Sequence, residues 1–189
     1  KACHQAQTWN MHRSKPFRIS VNITAHHFHH GNLIANVKTA LEESRLEPDC
    51  LEIEITESTA MYDMERTISI LNDLQAMGIA ISIDDFGTGY SSLSYLKYFP
   101  VYALKIDRSF IKQLPNSEKD LAIVRSTIVL AHNLGIQVVA EGVETNEQLH
   151  NLNSMECDEI QGYLFSRPVP AEQFTRLLAR ETLPLPYAD

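Results

Sequence analysis

Cysteine is scarce: three in 189 residues, Cys3, Cys50 and Cys157, odd in number, far apart and without C-x-x-C spacing. That pattern excludes a disulfide-stapled secreted scaffold and a cysteine zinc site, and predicts reduced thiols and a cytoplasmic setting. Also missing is any apolar run near the ~20 residues a membrane helix needs, and the N-terminus carries no charged-then-apolar signal pattern. A soluble segment without membrane contact is expected, whatever anchors other domains of a parent protein supply. Basic charge is short as well. Sixteen Lys and Arg against 24 Asp and Glu give a formal net charge of −8, which argues against a nucleic-acid polymer as partner, since phosphate neutralisation needs clustered cations. A small anionic ligand stays open if metal ions or a few bases meet its phosphates. No repeat or low-complexity segment interrupts the chain.

What is present is alternation. Runs rich in Val and Ile at 18–23, 51–56, 79–85, 103–107, 137–143 and 159–165 each read as one strand, six in all. Between them, Met64, Ile68, Leu71 and Leu74 recur at helical spacing, as do Leu121, Val124, Ile128 and Ala131. Gly78 and Gly135 sit where C′ glycines end such helices. Thr145 with Gln148 forms a capping box, and Pro170 precedes a helix carrying Phe174, Leu177 and Leu178. Strands that are mostly apolar, with helices between them, predict a parallel α/β sheet buried on both faces.

Polar residues gather at the strand ends: Asn22, Glu54 and Glu57, Asp84 and Asp85, Lys105 and Asp107, Glu141 and Glu144, and Gln161. A barrel brings every strand end to one face, whereas an open sheet concentrates chemistry at one switch point. The expected fold is therefore a TIM-like (β/α)8 barrel variant, with about six of the eight strands present. A full barrel takes ~250 residues, and the first nine residues read as mid-helix, with Ala2, Ala6 and Trp9 on one face and no cap before them. A start inside a longer domain is expected, with 1–182 as domain and 183–189 as a C-terminal tail.

Asn22, Glu54, Asp84, Asp85 and Glu141 are oxygen donors of the kind Mg2+ or Mn2+ prefers. Two such cations sharing a carboxylate clamp the attacking and leaving oxygens of a phosphodiester. Neighbouring Asp84 and Asp85 point to opposite faces of a regular strand, so both serve one site only if the strand breaks, and 86–89 (Phe-Gly-Thr-Gly) is where the break is expected. Lys105, on an otherwise apolar strand, would hold a nucleophilic water or offset phosphate charge; a salt bridge to a carboxylate is the alternative. The His26-His27-Phe28-His29-His30 run reads as a solvated segment, and Tyr90, Tyr95, Tyr98 and Phe99 as helix-packing or dimer contacts.

These residues fall into six segments, 20–25 (SVNITA), 54–58 (EITES), 84–92 (DDFGTGYSS), 104–110 (LKIDRSF), 140–145 (AEGVET) and 161–168 (QGYLFSRP). In content and order they resemble the motifs of the EAL domain family. The resemblance implies a barrel variant with an antiparallel first strand, and hydrolysis of cyclic di-GMP to linear pGpG with two Mg2+ or Mn2+ ions. It implies that Asn22, Glu54, Asp84 and Asp85 are metal ligands, that Glu141 is a ligand or general base, and that Lys105 orients the attacking water. Asp107 supports the site, Gln161 and Arg108 face substrate, and Glu57 anchors the loop after Asp85, which bears on dimer contacts and activity control. Expected partners are cyclic di-GMP, a second copy in a homodimer, and an upstream sensory or diguanylate cyclase (GGDEF) domain. No Glu-Ala-Leu tripeptide occurs in the 189 residues, and its Glu is a family metal ligand. Impaired turnover is therefore expected of this stretch, with a catalytically silent cyclic di-GMP receptor or an assembly module as alternatives.

Overall fold

A computed structural model describes residues 1–11, 13–89 and 93–178, with the side chains of 93 and 94 outside the description. The expected tail at 183–189, and Tyr90 with the rest of 90–92, lie outside the described residues. The chain divides into two compact units, 1–103 and 104 onward.

In the first unit, helix α1 (Ala2–Asn10) precedes strand β1 (Ile19–Asn22), helices α2 (Ala25–His30) and α3 (Leu33–Ser44), strand β2 (Leu51–Thr56), helices α4 (Glu57–Tyr62) and α5 (Met64–Ala76), strand β3 (Ala80–Phe86) and a short turn of helix, α6 (Leu93–Leu96). The three strands are parallel, with Val21 opposite Ile53 and Asn22 opposite Glu54. Across the next pair, Ile53 lies opposite Ile81, Glu54 opposite Ser82 and Thr56 opposite Asp84.

Because side chains alternate and in-register neighbours share a face, this pairing sorts the sheet. One face carries Val21, Ile53, Ile55, Ile81 and Ile83, and the last four are at most 2% exposed. Helix α5 packs on β3 and contributes Leu71 and Leu74, both fully buried. At ~1.5–3 kcal/mol per fully buried aliphatic side chain, this layer is the main apolar support of the unit. The other face carries Ser20, Asn22, Glu52, Glu54, Ser82 and Asp84. β2 is thus buried on both sides yet alternates strictly, because one of its faces is a polar lining.

At the N-terminal end of that lining, the buried Glu52 carboxylate accepts a hydrogen bond from the Ser82 hydroxyl. Arg18 closes it at 3.9 Å, while its guanidinium stacks over the Tyr102 ring at 4.2 Å. This end is neutralised by protein partners.

In the second unit, strand β4 (Ala103–Ile106) leads through helices α7 (Arg108–Ile111) and α8 (Glu118–Asn133) to strand β5 (Gln137–Glu141), helix α9 (Asn146–Ser154), strand β6 (Glu159–Gln161) and helix α10 (Ala171–Leu178). β5 and β6 are parallel, with Glu141 opposite Gln161. α8 buries Val124, Ile128 and Ala131 and packs on β5. The capping box forms as expected: the Thr145 hydroxyl accepts from Gln148 N–H, and the Gln148 side-chain oxygen accepts from Thr145 N–H. Its amide NH2 also donates to the Ile111 carbonyl at 3.1 Å, tying α9 to the end of α7.

Six strands and the intervening helices occur where the sequence places them, and Gly78 and Gly135 do adopt left-handed conformations, φ +84° and +73°. β5 and β6 stop short of the expected 143 and 165. Gly142 has φ +72° and breaks β5, and Gly162 lies so close to Val143 that a Cβ would fall 2.0 Å from its carbonyl oxygen. Among the described residues no helix is long and apolar enough to cross a membrane.

Candidate functional site

The register of the first unit places three of the expected ligands together. Asn22 lies opposite Glu54, Glu54 opposite Ser82, and Asp84 two residues beyond Ser82; all three project from one face at the C-terminal ends of adjacent strands. Glu54 is 5% exposed. Hard oxygen donors on adjacent strands, in a lining whose opposite end already has Glu52 paired with Arg18 and hydrogen-bonded by Ser82, fit a divalent cation of the Mg2+ or Mn2+ kind. Among the described residues no three His, Cys, Asp or Glu side chains are arranged to hold a metal ion by themselves.

Asp85 breaks the strand alternation itself. Its φ is +55°, a left-handed conformation that few non-glycine residues other than Asp and Asn adopt. Its N–H donates to Asp84 Oδ1 at 3.0 Å, and its carbonyl accepts from the Thr88 hydroxyl at 2.8 Å. The break expected at 86–89 therefore begins one residue earlier, and Phe86 stays within β3, 5% exposed.

Glu57 opens α4 behind the Thr56 cap, whose hydroxyl accepts from Thr59 N–H at 3.3 Å. Buried to 2% exposure, its carboxylate accepts from Gly87 N–H at 2.8 Å, and a Cβ on Gly89 would lie 3.0 Å from its Oε1. A carboxylate on β2–α4 thus holds the backbone of the loop after Asp85, the contact expected of Glu57. Of the aromatic group, Phe99 is buried while Tyr95 and Tyr98 are 42% and 56% exposed, so packing accounts for only part of it.

In the second unit, Lys105 on β4 is 4% exposed, and its ammonium lies 2.6 Å from Glu141 Oε1 at the end of β5. The salt bridge considered from sequence is thus formed, with the carboxylate expected to act as ligand or base. Ammonium and carboxylate at this separation can pass between holding each other and holding a water or phosphate oxygen. Glu141 neighbours Gln161 in register, and the exposed Gln161 accepts from Val143 N–H through its carbonyl. Asp107 caps α7, its Oδ1 accepting from Ser109 N–H at 2.9 Å. Arg108 is exposed, and its Cβ would stand 2.5 Å from a Cβ on Gly142, so the glycine lets the Arg108 helix seat against the end of β5.

Sequence reasoning missed two buried ionisable residues, Glu52 and His29. Glu52, two positions before Glu54, shares its face but serves the opposite end of the strands. His29, taken with its neighbours as solvated, is 4% exposed and hydrogen-bonds through Nε2 to the Thr59 carbonyl at 2.9 Å. The apolar Phe28 beside it, fully buried, was the available signal that one side of this run turns inward.

Comparison with known proteins gives the same residues a context. The bifunctional diguanylate cyclase/cyclic di-GMP phosphodiesterase MucR of Pseudomonas aeruginosa is 46% identical over 179 residues, covering 95% of the chain and 26% of MucR. The cyclic di-GMP phosphodiesterase NbdA of the same organism is 42% identical over 187 residues, 97% of the chain and 24% of NbdA. The chain thus spans about a quarter of the length of these relatives. A MucR phosphodiesterase structure in complex with c-di-GMP superposes with a TM-score of 0.89 at 47% identity, over 92% of this chain and 70% of that one. A manganese and cyclic di-GMP complex of BlrP1 from Klebsiella pneumoniae gives a TM-score of 0.79 at 33% identity, over 88% and 42%. These likenesses assign the TIM-barrel-like α/β fold. With the EAL domain model matching residues 1–168, the chain belongs to the EAL domain family.

Proposed function

We propose that this domain, residues 1–182, hydrolyses cyclic di-GMP to linear pGpG with two divalent cations, Mg2+ or Mn2+. The observation that carries the proposal is the register that sets Asn22, Glu54 and Asp84 on one face at the ends of three parallel strands. Names borne by relatives over nearly the whole of this chain support the same reaction.

In this reading Asn22, Glu54, Asp84 and Asp85 hold the cations, with Glu141 as ligand or general base. When bound, the cations supply Lewis-acid stabilisation of the phosphodiester oxygens and lower the pKa of water. Lys105 orients water and offsets charge that develops on phosphate. Asp107 fixes the start of α7, and Arg108 and Gln161 meet the substrate. Glu57 fixes the loop after Asp85, through which a homodimer would act on turnover. A GGDEF or sensory neighbour in a longer protein, as the name of MucR suggests for that relative, would supply the input, with this domain in the cytoplasm.

With no Glu-Ala-Leu tripeptide, the 189 residues by themselves turn over more slowly than a chain that includes one. The test is conversion of cyclic di-GMP to pGpG, followed by chromatography with Mg2+, with Mn2+ and after chelation, for this chain and for a longer one carrying the tripeptide. Metal-dependent turnover in the longer chain supports the proposal. Binding of cyclic di-GMP without turnover in both overturns it in favour of a receptor, and equal turnover in both overturns the impairment.

A further inference from the structure

The histidine run that leaves β1 is not uniform. Phe28 and His29 anchor α2, buried to 0% and 4% exposure, and their burial turns the opposite side of the helix outward. His26 and His30 stand there one turn apart, both exposed, with ring centroids 5.7 Å from each other. Residues four apart on a helix are neighbours on its surface. With metal–imidazole bonds of about 2.0–2.1 Å, two rings on one ion have centroids roughly 5–6 Å apart.

The geometry points to a two-histidine site at His26 and His30 for a borderline divalent transition ion, Cu2+ or Ni2+ ahead of Zn2+. Imidazole favours these ions over Mg2+, Ca2+ and Mn2+, and the Irving–Williams order ranks Cu2+ first. The pair is held by structure on both sides: Thr24 caps α2, its hydroxyl meeting His27 Nδ1 at 3.0 Å, and the His29 ring is fixed against the Thr59 carbonyl at 2.9 Å. His29 is thereby committed elsewhere, and His27, whose ring centroid also lies 5.7 Å from that of His26, stands edge-on to it at 83° with its Nδ1 engaged by Thr24. Among the described residues no third His, Cys, Asp or Glu joins the pair to close a cage, so water completes the coordination and the ion exchanges freely. The site differs in donor chemistry from the oxygen-rich strand face, and so takes a different class of ion from the one proposed for hydrolysis.

The test uses the tag-free chain in millimolar Mg2+, which occupies carboxylate sites and does not compete for imidazole. Titration with Ni2+ by calorimetry, and Cu2+ electron paramagnetic resonance, should give one ion per chain with two nitrogen ligands. Losing an outer-sphere partner of a metal ligand already costs about 10–100-fold in affinity, so H26A and H30A should each weaken Ni2+ by at least that. H4A, at an exposed histidine on α1, should leave it unchanged. Both substitutions lie on the surface, and unchanged circular dichroism and melting will separate lost ligation from lost folding. No Ni2+ binding to the parent chain, or binding that survives H26A and H30A, overturns the site. Neither outcome depends on whether the domain hydrolyses cyclic di-GMP.

Discussion

Glu57 Oε2 accepts a hydrogen bond from the Gly87 N–H at 2.8 Å, so a buried carboxylate thirty residues upstream fixes the backbone that follows the Asp84-Asp85 pair. The loop therefore takes its position from β2 and α4. Charge-assisted hydrogen bonds contribute about 1.5–3 kcal/mol. E57A should lower stability to urea by about that much and raise amide exchange at Gly87, with turnover falling in parallel. E57Q, which keeps an acceptor oxygen, should lie between. Unchanged exchange at Gly87 in E57A would remove the anchoring role.

The Lys105–Glu141 pair gives a second prediction. Truncating one member of a buried pair strands the other, and a preorganised charge aimed at a reacting phosphate is worth about 10²–10³ in rate. K105M should lower kcat for cyclic di-GMP at least about 10²-fold with a smaller change in KM. A kcat within a few-fold of the parent would leave Lys105 a structural ion-pair partner.

Gly162 has no room for a methyl group, its Cβ position lying 2.0 Å from Val143 O and 2.4 Å from Val143 N. Backbone cannot yield as a flexible side chain does, so G162A should destabilise by about 3 kcal/mol or more. Chemical denaturation measures it directly, and a loss under ~1 kcal/mol would contradict the packing.

Burial pushes the Cys157 thiol up to about 11 from an ordinary 9.0, while its sulfur sits 3.5 Å from the carbonyls of Val138 and Glu159. The unfolded chain gives up this proton first, so rising pH favours unfolding. The group's contribution is complete below about pH 9 and is lost by about pH 11, up to ~3 kcal/mol. The stability difference between the parent and C157S should therefore shift against the parent across that range. At pH 8 the folded thiol should react with iodoacetamide far more slowly than the same thiol in urea.

Much of the fold was legible because local chemistry and tertiary structure agree. β2 runs over 51–56 as its composition indicates, and Thr145 with Gln148 caps α9. Strand ends were less legible where apolar character outlasts the strand. Val143 is fully buried and exchanges backbone hydrogen bonds with Gln161 and Leu164, yet Gly142 has already turned the chain. Of the candidate site, strand-end clustering pointed to Asn22, Glu54 and Asp84, which the register sets on one face, and the loop contact of Glu57 followed from resemblance. The burial of His29 was signalled only by Phe28 beside it, since its hydrogen-bond partner is a backbone carbonyl thirty positions away. The left-handed turn at Asp85 could not be read, because a strand pattern carries no sign of φ before the glycine that follows.

That turn restricts how Asp85 can be probed. At φ +55° a β-branched or bulky replacement adds backbone strain to whatever chemistry it removes, whereas asparagine tolerates the left-handed region nearly as well as aspartate. Activity lost in D85A or D85V would mix a displaced loop with a missing carboxylate. D85N keeps the turn and removes only the charge, which makes it the substitution that isolates what the second aspartate contributes.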